Sequence, residues 1–415
     1  MADLKNYAVV TASYWGFTIT DGALRMLVLL HFHALGYKPL DLAFLFLLYE
    51  AMGIFTNFFG GWIGARYGLR STLFAGLAIQ VVALVMLASL PVGMTAALSV
   101  VYVMAAQALS GVAKDLTKMS SKSAIKLVVP EGGHGLLFQW VALLTGSKNA
   151  LKGVGFFVGG YLLYQIGFEG ALLSMAGALT LVLVAASISL KSEIGKAKRK
   201  IHAQDLFSKS HEINLLSAAR IFLFASRDVW FVVGLPVFLT SVLGWSFDEV
   251  GSFMALWVIG YGIVQALVPK LLRSIQNKHS AAAATKVWGL ALLLTPALIG
   301  FGLTTTGQQA FTSIFDGYEA SSFLLKGLVV FGVVFAINSA LHSYLIVAYA
   351  DADTVALSVG FYYMANAVGR LLGTLLSGLI YQYYGLAVCL FVSSAMVLVA
   401  VFLTFPLGKA VKNTV

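Results

Sequence analysis

Apolar stretches of membrane-crossing length recur from one end of the chain to the other, and no other feature limits its fold as strongly. In windows of about 19 residues they cover 8–31, 40–65, 71–90, 95–114, 136–165, 169–190, 213–241, 246–270, 286–304, 325–349, 355–383 and 386–408. About 20 helical residues cross the ~30 Å hydrocarbon layer of a bilayer. Backbone groups in that layer have no water to bond, so each stretch is expected to be a helix that satisfies its own amides. A cleavable leader accounts for one such stretch at most. With 60% hydrophobic and 11% charged residues, a soluble globule of 415 residues would lack the polar surface to cover itself. The expectation is an all-α membrane protein with twelve transmembrane helices and the lipid bilayer as its first partner.

The basic residues orient the spans. Loops on one side hold only Lys38 and Lys326, while the rest of the loop lysines and arginines gather on the side of both termini. The positive-inside rule makes that side cytoplasmic. The longest polar connection, 191–212, carries Lys191, Lys196, Lys198, Arg199, Lys200 and Lys209 and reads as a cytoplasmic linker. It separates an N-terminal six-helix bundle, 1–190, from a C-terminal one, 213–415. Leu35-Gly36-Tyr37 enters the second span as Leu243-Gly244-Trp245 enters the eighth, and that alignment sets Asp228 one place from Asp21. Two such halves suit alternating access.

Several classes of chemistry are disfavoured. The single cysteine, Cys389, allows no intramolecular disulfide or multi-thiol metal site. The net charge of +10 is scattered between apolar spans and makes no nucleic-acid-binding domain. Paired catalytic carboxylates, a nucleophile elbow and a phosphate-binding glycine loop with its lysine are all missing, which argues against an enzyme, a resident cofactor or metal, and ATP-driven pumping.

Two resemblances follow from short motifs. Gly61-Trp62-Ile63-Gly64-Ala65-Arg66-Tyr67-Gly68-Leu69-Arg70 resembles the loop motif of the major facilitator superfamily, with Ala65 where that family usually has aspartate. Gln107-Ala108-Leu109-Ser110-Gly111 stands where many proton-coupled members begin with arginine. Gly155-Phe156-Phe157-Val158-Gly159-Gly160 is similar to the antiporter pattern, with phenylalanine in place of proline. Over nearly the whole chain, Tyr14-Trp15-Gly16-Phe17-Thr18, Thr20-Asp21-Gly22-Ala23-Leu24-Arg25, Thr145-Gly146-Ser147-Lys148-Asn149-Ala150-Leu151-Lys152 and Arg227-Asp228-Val229-Trp230-Phe231 resemble the ArsJ-type organoarsenical efflux permeases. This likeness implies the major facilitator fold and residence in a bacterial inner membrane. It further implies export of 1-arseno-3-phosphoglycerate, an ester made from arsenate by a partner glyceraldehyde-3-phosphate dehydrogenase.

The charges within spans are compatible with such a cargo. A charge at that depth costs roughly 2.5–3.5 kcal/mol on insertion scales, so it is expected to face a polar cavity or a partner. Arg25, Lys148, Lys152, Arg220, Arg227 and Arg370, with Asn149, are the candidates for holding a small anionic substrate. Asp21, Glu50, Asp228, Arg66 and Gln107 are the candidates for coupling or gating. Asp21 and Arg25, four residues apart, can pair on one helix face, as can Glu50 with a neighbouring helix. Lys148 and Lys152 have the same spacing and repel unless an anion lies between them. Arginine offers a fork that fits phosphate, arsenate or carboxylate oxygens, and lysine a compact charge. Another phosphorylated or carboxylated metabolite, or a drug, remains an open alternative cargo.

Overall fold

The computed structural model describes the backbone of residues 2–91, 93–124, 134–190, 210–272, 278–349 and 355–408; the side chains at 2–3, 60–67, 122–123, 134–143, 145, 347 and 355–359 lie outside that description. All regular elements in these residues are helices: α1 (Ala2–Ala34), α2 (Pro39–Leu45), α3 (Leu47–Tyr67), α4 (Leu69–Ala88), α5 (Ala96–Ala124), α6 (His134–Ser189), α7 (His211–Phe231), α8 (Gly234–Ser241), α9 (Phe247–Leu271), α10 (Lys278–Leu303), α11 (Thr305–Ile314), α12 (Ala320–Tyr349) and α13 (Val355–Thr404). Among the described residues, 9 helical stretches are long and apolar enough to cross a membrane. Two of them, in α6 and α13, each hold a pair of spans. Their breaks fall at Gly167 (φ 71°) and Gly385 (φ 76°), a left-handed backbone that glycine adopts without a Cβ penalty. These breaks stand between the spans expected at 136–165 and 169–190, and at 355–383 and 386–408.

Helix α1 is not among the nine, although its 33 residues have length to spare. Thr11, Ser13, Thr18, Thr20, Asp21 and Arg25 lower its hydropathy, and all six are buried against protein. Counting α1 and both parts of α6 and α13 recovers the twelve expected crossings. Other boundaries moved. Helix α5 runs ten residues past the expected end at 114, α10 begins at Lys278 rather than 286, and α11 was not expected. The expected spans 40–65 and 213–241 are each broken, into α2 with α3 and α7 with α8.

The tripeptide repeat has a structural counterpart. After α1, Gly36 takes φ 83° and Tyr37 N–H donates to Phe32 O at 3.1 Å; after α8, Gly244 takes φ 70° and Trp245 N–H donates to Leu239 O at 3.0 Å. A left-handed glycine followed by a donor reaching back into the last turn is a helix stop.

The chain forms two compact units, Met1–Ala203 with Pro236–Ile263, and Gln204–Leu235 with Val264–Val415. Segment Pro236–Ile263, which follows the linker in sequence, thus groups with the N-terminal helices. Most of the linker lies outside the described residues. In the first unit, α1 and α6 meet backbone to backbone: a Cβ on Gly155 would strike Ile19 O, and one on Gly159 would strike Ala23 O. In the second, α7 meets α13 the same way, a Cβ on Gly369 striking Ile221 O. Lipid tails are as apolar as leucine, so helix association in a bilayer depends on such close packing through small residues. These two seams set the acids and cations of the following section side by side.

Candidate functional site

In the first unit the charges meet where α1, α3, α5 and α6 converge. Tyr49 OH donates to Asp21 Oδ1 at 2.5 Å, and Lys152 Nζ faces the other oxygen, Oδ2, at 3.6 Å. Lys114 Nζ lies 3.9 Å from the centre of the Tyr49 ring. Arg25 Nη2 donates to Glu50 Oε1 at 2.5 Å, with its guanidinium over Phe46 and Tyr49. Of the two pairings open to these residues, the hydrogen-bonded one joins Arg25 to Glu50 across helices rather than to Asp21 on its own helix. Asp21 and Glu50 stand against Arg25, Lys114 and Lys152, and Lys148 follows one turn away on α6. Asn149 sits beside Lys148, its Cβ 3.2 Å from where Gly262 of α9 would carry one.

In the second unit the balance is more one-sided. Arg227 donates from Nε at 2.7 Å and Nη2 at 2.5 Å to the same oxygen, Asp228 Oδ1. Arg370 Nε, from α13, faces Oδ2 at 3.7 Å. Asp228 is completely buried. About two helical turns before it, Arg220 is also buried but has only neutral partners among the described residues. Its Nε donates to Asn366 Oδ1 at 3.0 Å and its Nη1 to Ser339 Oγ at 3.2 Å and Ser339 O at 3.4 Å. The guanidinium carbon stands 4.0 Å from the Phe224 ring centre and 4.8 Å from that of Tyr362. Phe224 also lies under Arg227, at 4.9 Å, so one aromatic ring of α7 serves both arginines. Beyond it, a small cavity is lined by Thr285, Asn338, His342 and Thr404.

A buried ion must be compensated or it costs several kcal/mol. Asp228 is compensated by two guanidinium groups, whereas Arg220 has a side-chain amide, a hydroxyl, a backbone carbonyl and aromatic faces among the described residues.

The remaining candidates are placed as follows. Gln107 is buried in α5, and its Nε2 has no hydrogen-bond partner among the described residues. Arg66 belongs to the last turn of α3, but its side chain lies outside the described residues. Sequence reasoning missed a fourth buried acid, Asp115. It accepts from Lys118 Nζ at 2.5 Å, Thr56 Oγ1 at 2.5 Å and Asn57 Nδ2 at 3.3 Å, while Lys118 also donates to Asn57 Oδ1 at 2.5 Å. The apolar window stopped at 114, yet Gln107, Gly111, Lys114 and Lys118 keep helical spacing past that point, which was the available signal. Lys114, Tyr49, Ser339 and Asn366 were missed because each acts through a contact with another helix.

Residues 8–314 match the profile of the Major Facilitator Superfamily. Among solved structures, a nucleoside transporter, NupG, superposes with TM-score 0.70 at 14% identity, covering 98% of this chain and 99% of that one. A POT family transporter in complex with a thioalcohol-conjugated peptide gives TM-score 0.70 at 13% identity, covering 95% and 94%. No curated protein matches the sequence.

Proposed function

We propose a cargo for this chain, which belongs to the Major Facilitator Superfamily and is a secondary transporter: a small organic anion, exported across a bacterial inner membrane, and most specifically 1-arseno-3-phosphoglycerate. The observation that carries the anionic cargo is Arg220, a buried guanidinium held by Asn366, Ser339, Phe224 and Tyr362 with no carboxylate beside it among the described residues. Lys152 and Arg370, each facing a carboxylate at more than 3.5 Å, supply further positive charge. Arsenate and phosphate groups present nearly the same oxygens, so these side chains fit either. The choice of the arsenical rests on the motifs shared with the ArsJ-type permeases. The ester is short-lived, and its maker, glyceraldehyde-3-phosphate dehydrogenase, is then the functional partner. In this reading both termini and the 191–212 linker are cytoplasmic, and 1–190 and 213–415 are the two repeats.

The test is growth of an arsenate-sensitive bacterium expressing the transporter, the dehydrogenase, both or neither. Arsenate resistance is expected with both only. Arsenite resistance is not expected, because a single cysteine cannot form a thiolate trap for soft arsenic. Resistance to arsenite, or to arsenate without the dehydrogenase activity, overturns this cargo. The second reading, another phosphorylated or carboxylated metabolite, draws on the same arginine chemistry and is favoured if 3-phosphoglycerate is transported without any effect on arsenate resistance.

A further inference from the structure

Each unit contains the same device, with different residues. An acid on one helix has one oxygen held tightly and the other facing a cation on the helix packed against it. Asp21 Oδ1 accepts from Tyr49 at 2.5 Å while Oδ2 stands 3.6 Å from Lys152. Asp228 Oδ1 accepts from Arg227 at 2.5 Å while Oδ2 stands 3.7 Å from Arg370. In both cases the acid's helix and the cation's helix are locked by a glycine seam, Gly155 and Gly159 against α1, and Gly369 and Gly373 against α7. This close backbone packing brings each cation's helix within side-chain reach of the acid, so the cation can change partners by moving its side chain. Lys152 and Arg370 are the more accessible members, with side chains 15% and 14% exposed against 6% and 0% for the acids.

We infer that Asp21 and Asp228 are internal placeholders for the cargo's anionic groups: each neutralises its cation in the empty transporter and yields it when cargo arrives. The inference rests on the anion-transport reading above and assigns the acids a role in it. The step is an ion exchange in which no covalent bond forms or breaks. A cargo oxyanion takes the ammonium of Lys152 or the guanidinium of Arg370, and the carboxylate keeps its tight partner. Neither acid is stranded by the exchange. Asp228 retains both donors of Arg227, and Asp21 retains the Tyr49 hydroxyl with Lys114 and Arg25 close enough to act on its charge. A long, loose contact is easily given up, whereas the short one on the opposite oxygen keeps the acid from following the cation. The acids therefore weaken cargo binding, and a cargo with a doubly charged end displaces them better than one with a single charge.

This arrangement gives opposite signs for two neighbouring substitutions. Asp21→Asn removes the competitor and is expected to tighten binding of 3-phosphoglycerate on the order of tenfold, the range of one close charge pair. Tyr49→Phe releases the second oxygen of Asp21 to Lys152, strengthens the competitor and is expected to weaken binding severalfold. Asp228→Asn is expected to act as Asp21→Asn does. A merely structural role for the acid would make every one of these variants bind worse. The experiment is equilibrium binding of labelled 3-phosphoglycerate and of inorganic phosphate to the purified full-length protein in detergent, with thermal unfolding as a check on folding. Tighter binding by Asp21→Asn with weaker binding by Tyr49→Phe supports the exchange. Unchanged or weaker binding by a folded Asp21→Asn overturns it while leaving the anion reading intact. Should that variant not fold, equal or tighter binding by Tyr49→Phe overturns it instead. Absence of binding by the wild-type protein itself overturns the inference together with the reading beneath it.

Discussion

Arg25 passes over Asp21, four residues away on its own helix, and pairs with Glu50 of α3 at 2.5 Å. Both members are enclosed, the Glu50 side chain being 1% exposed. Removing one member of a buried pair strands the other and typically costs 3–5 kcal/mol, whereas replacing both by apolar groups of similar volume is often neutral. Arg25→Gln and Glu50→Gln should each lower the unfolding temperature in detergent, by an amount corresponding to about 3–5 kcal/mol. The double variant Arg25→Met with Glu50→Leu should recover most of it. If that double variant also transports 3-phosphoglycerate in proteoliposomes, Arg25 serves the fold and drops out of the cargo site.

Arg220 differs from Arg25 in having no charge to answer it among the described residues. Its planar group is wedged between Phe224 and Tyr362 while separate nitrogens reach Asn366 and Ser339. Lysine keeps the charge but has neither the planar face nor the divergent donors. Arg220→Lys should therefore reduce uptake into inverted vesicles at least tenfold with membrane levels unchanged, and Arg220→Gln should do so more completely. Near-normal transport by the lysine variant would remove the case for a directional fork.

The α7–α13 seam is packed about as closely as that between α1 and α6. A methyl group on Gly369 would collide with Ile221 O, and one on Gly373 would lie 2.7 Å from Asp228 Cβ. Overpacking of this kind typically costs 1–3 kcal/mol. Gly373→Ala should destabilise the protein by about that amount and also alter anion binding, since it pushes on the helix that bears Asp228. Gly177, which has open space around its Cβ position, is the control, and Gly177→Ala should be silent in both assays.

The charge asymmetry of the loops predicts that a reporter fused after residue 415 and one inserted within 191–212 will both score as cytoplasmic. An external score for either would require the spans to be reassigned.

Span positions were legible because they depend on the length of apolar runs, and the two glycine breaks at Gly167 and Gly385 fell where the runs were divided. Helix α1 was still found as the span 8–31 although its buried polar side chains lower its average, and the acid and arginine at span depth set it apart. Asp21, Arg25, Lys152, Arg227, Asp228 and Arg370 could be picked out because charge within a span is costly wherever it occurs. Their partners could not be assigned, because pairing depends on helix neighbours and rotation. Local spacing pointed Arg25 to Asp21, while the seam at Gly155 and Gly159 delivered Lys152 to that acid instead. Asp115 escaped for a different reason. It lies just beyond an apolar window, in a helix that continues as a buried polar face.

Lys148 and Lys152 provide the sharpest test of the cargo site in the first unit. Two ammonium groups one helical turn apart, about 6 Å, repel by roughly 3 kcal/mol at an effective dielectric of ~20. Asp21 offsets part of this through Lys152, at 3.6 Å. A cargo oxyanion that takes Lys152 also relieves the repulsion between the two lysines, and so binds more strongly than the single contact would suggest. Lys152→Gln should abolish most uptake of labelled 3-phosphoglycerate into inverted vesicles, and Lys152→Arg should retain part of it because charge survives. Lys148→Gln should be milder, raising the concentration needed for half-maximal uptake severalfold without removing transport. Protein levels are to be matched by blot, since Lys152→Gln leaves Asp21 with Tyr49 as its nearest partner and can lower stability as well. Combining Lys152→Gln with Asp21→Asn separates the two effects: the pair should restore stability but not uptake. Wild-type uptake by both single glutamine variants would make the lysines structural and leave Arg220, Arg227 and Arg370 as the anion site.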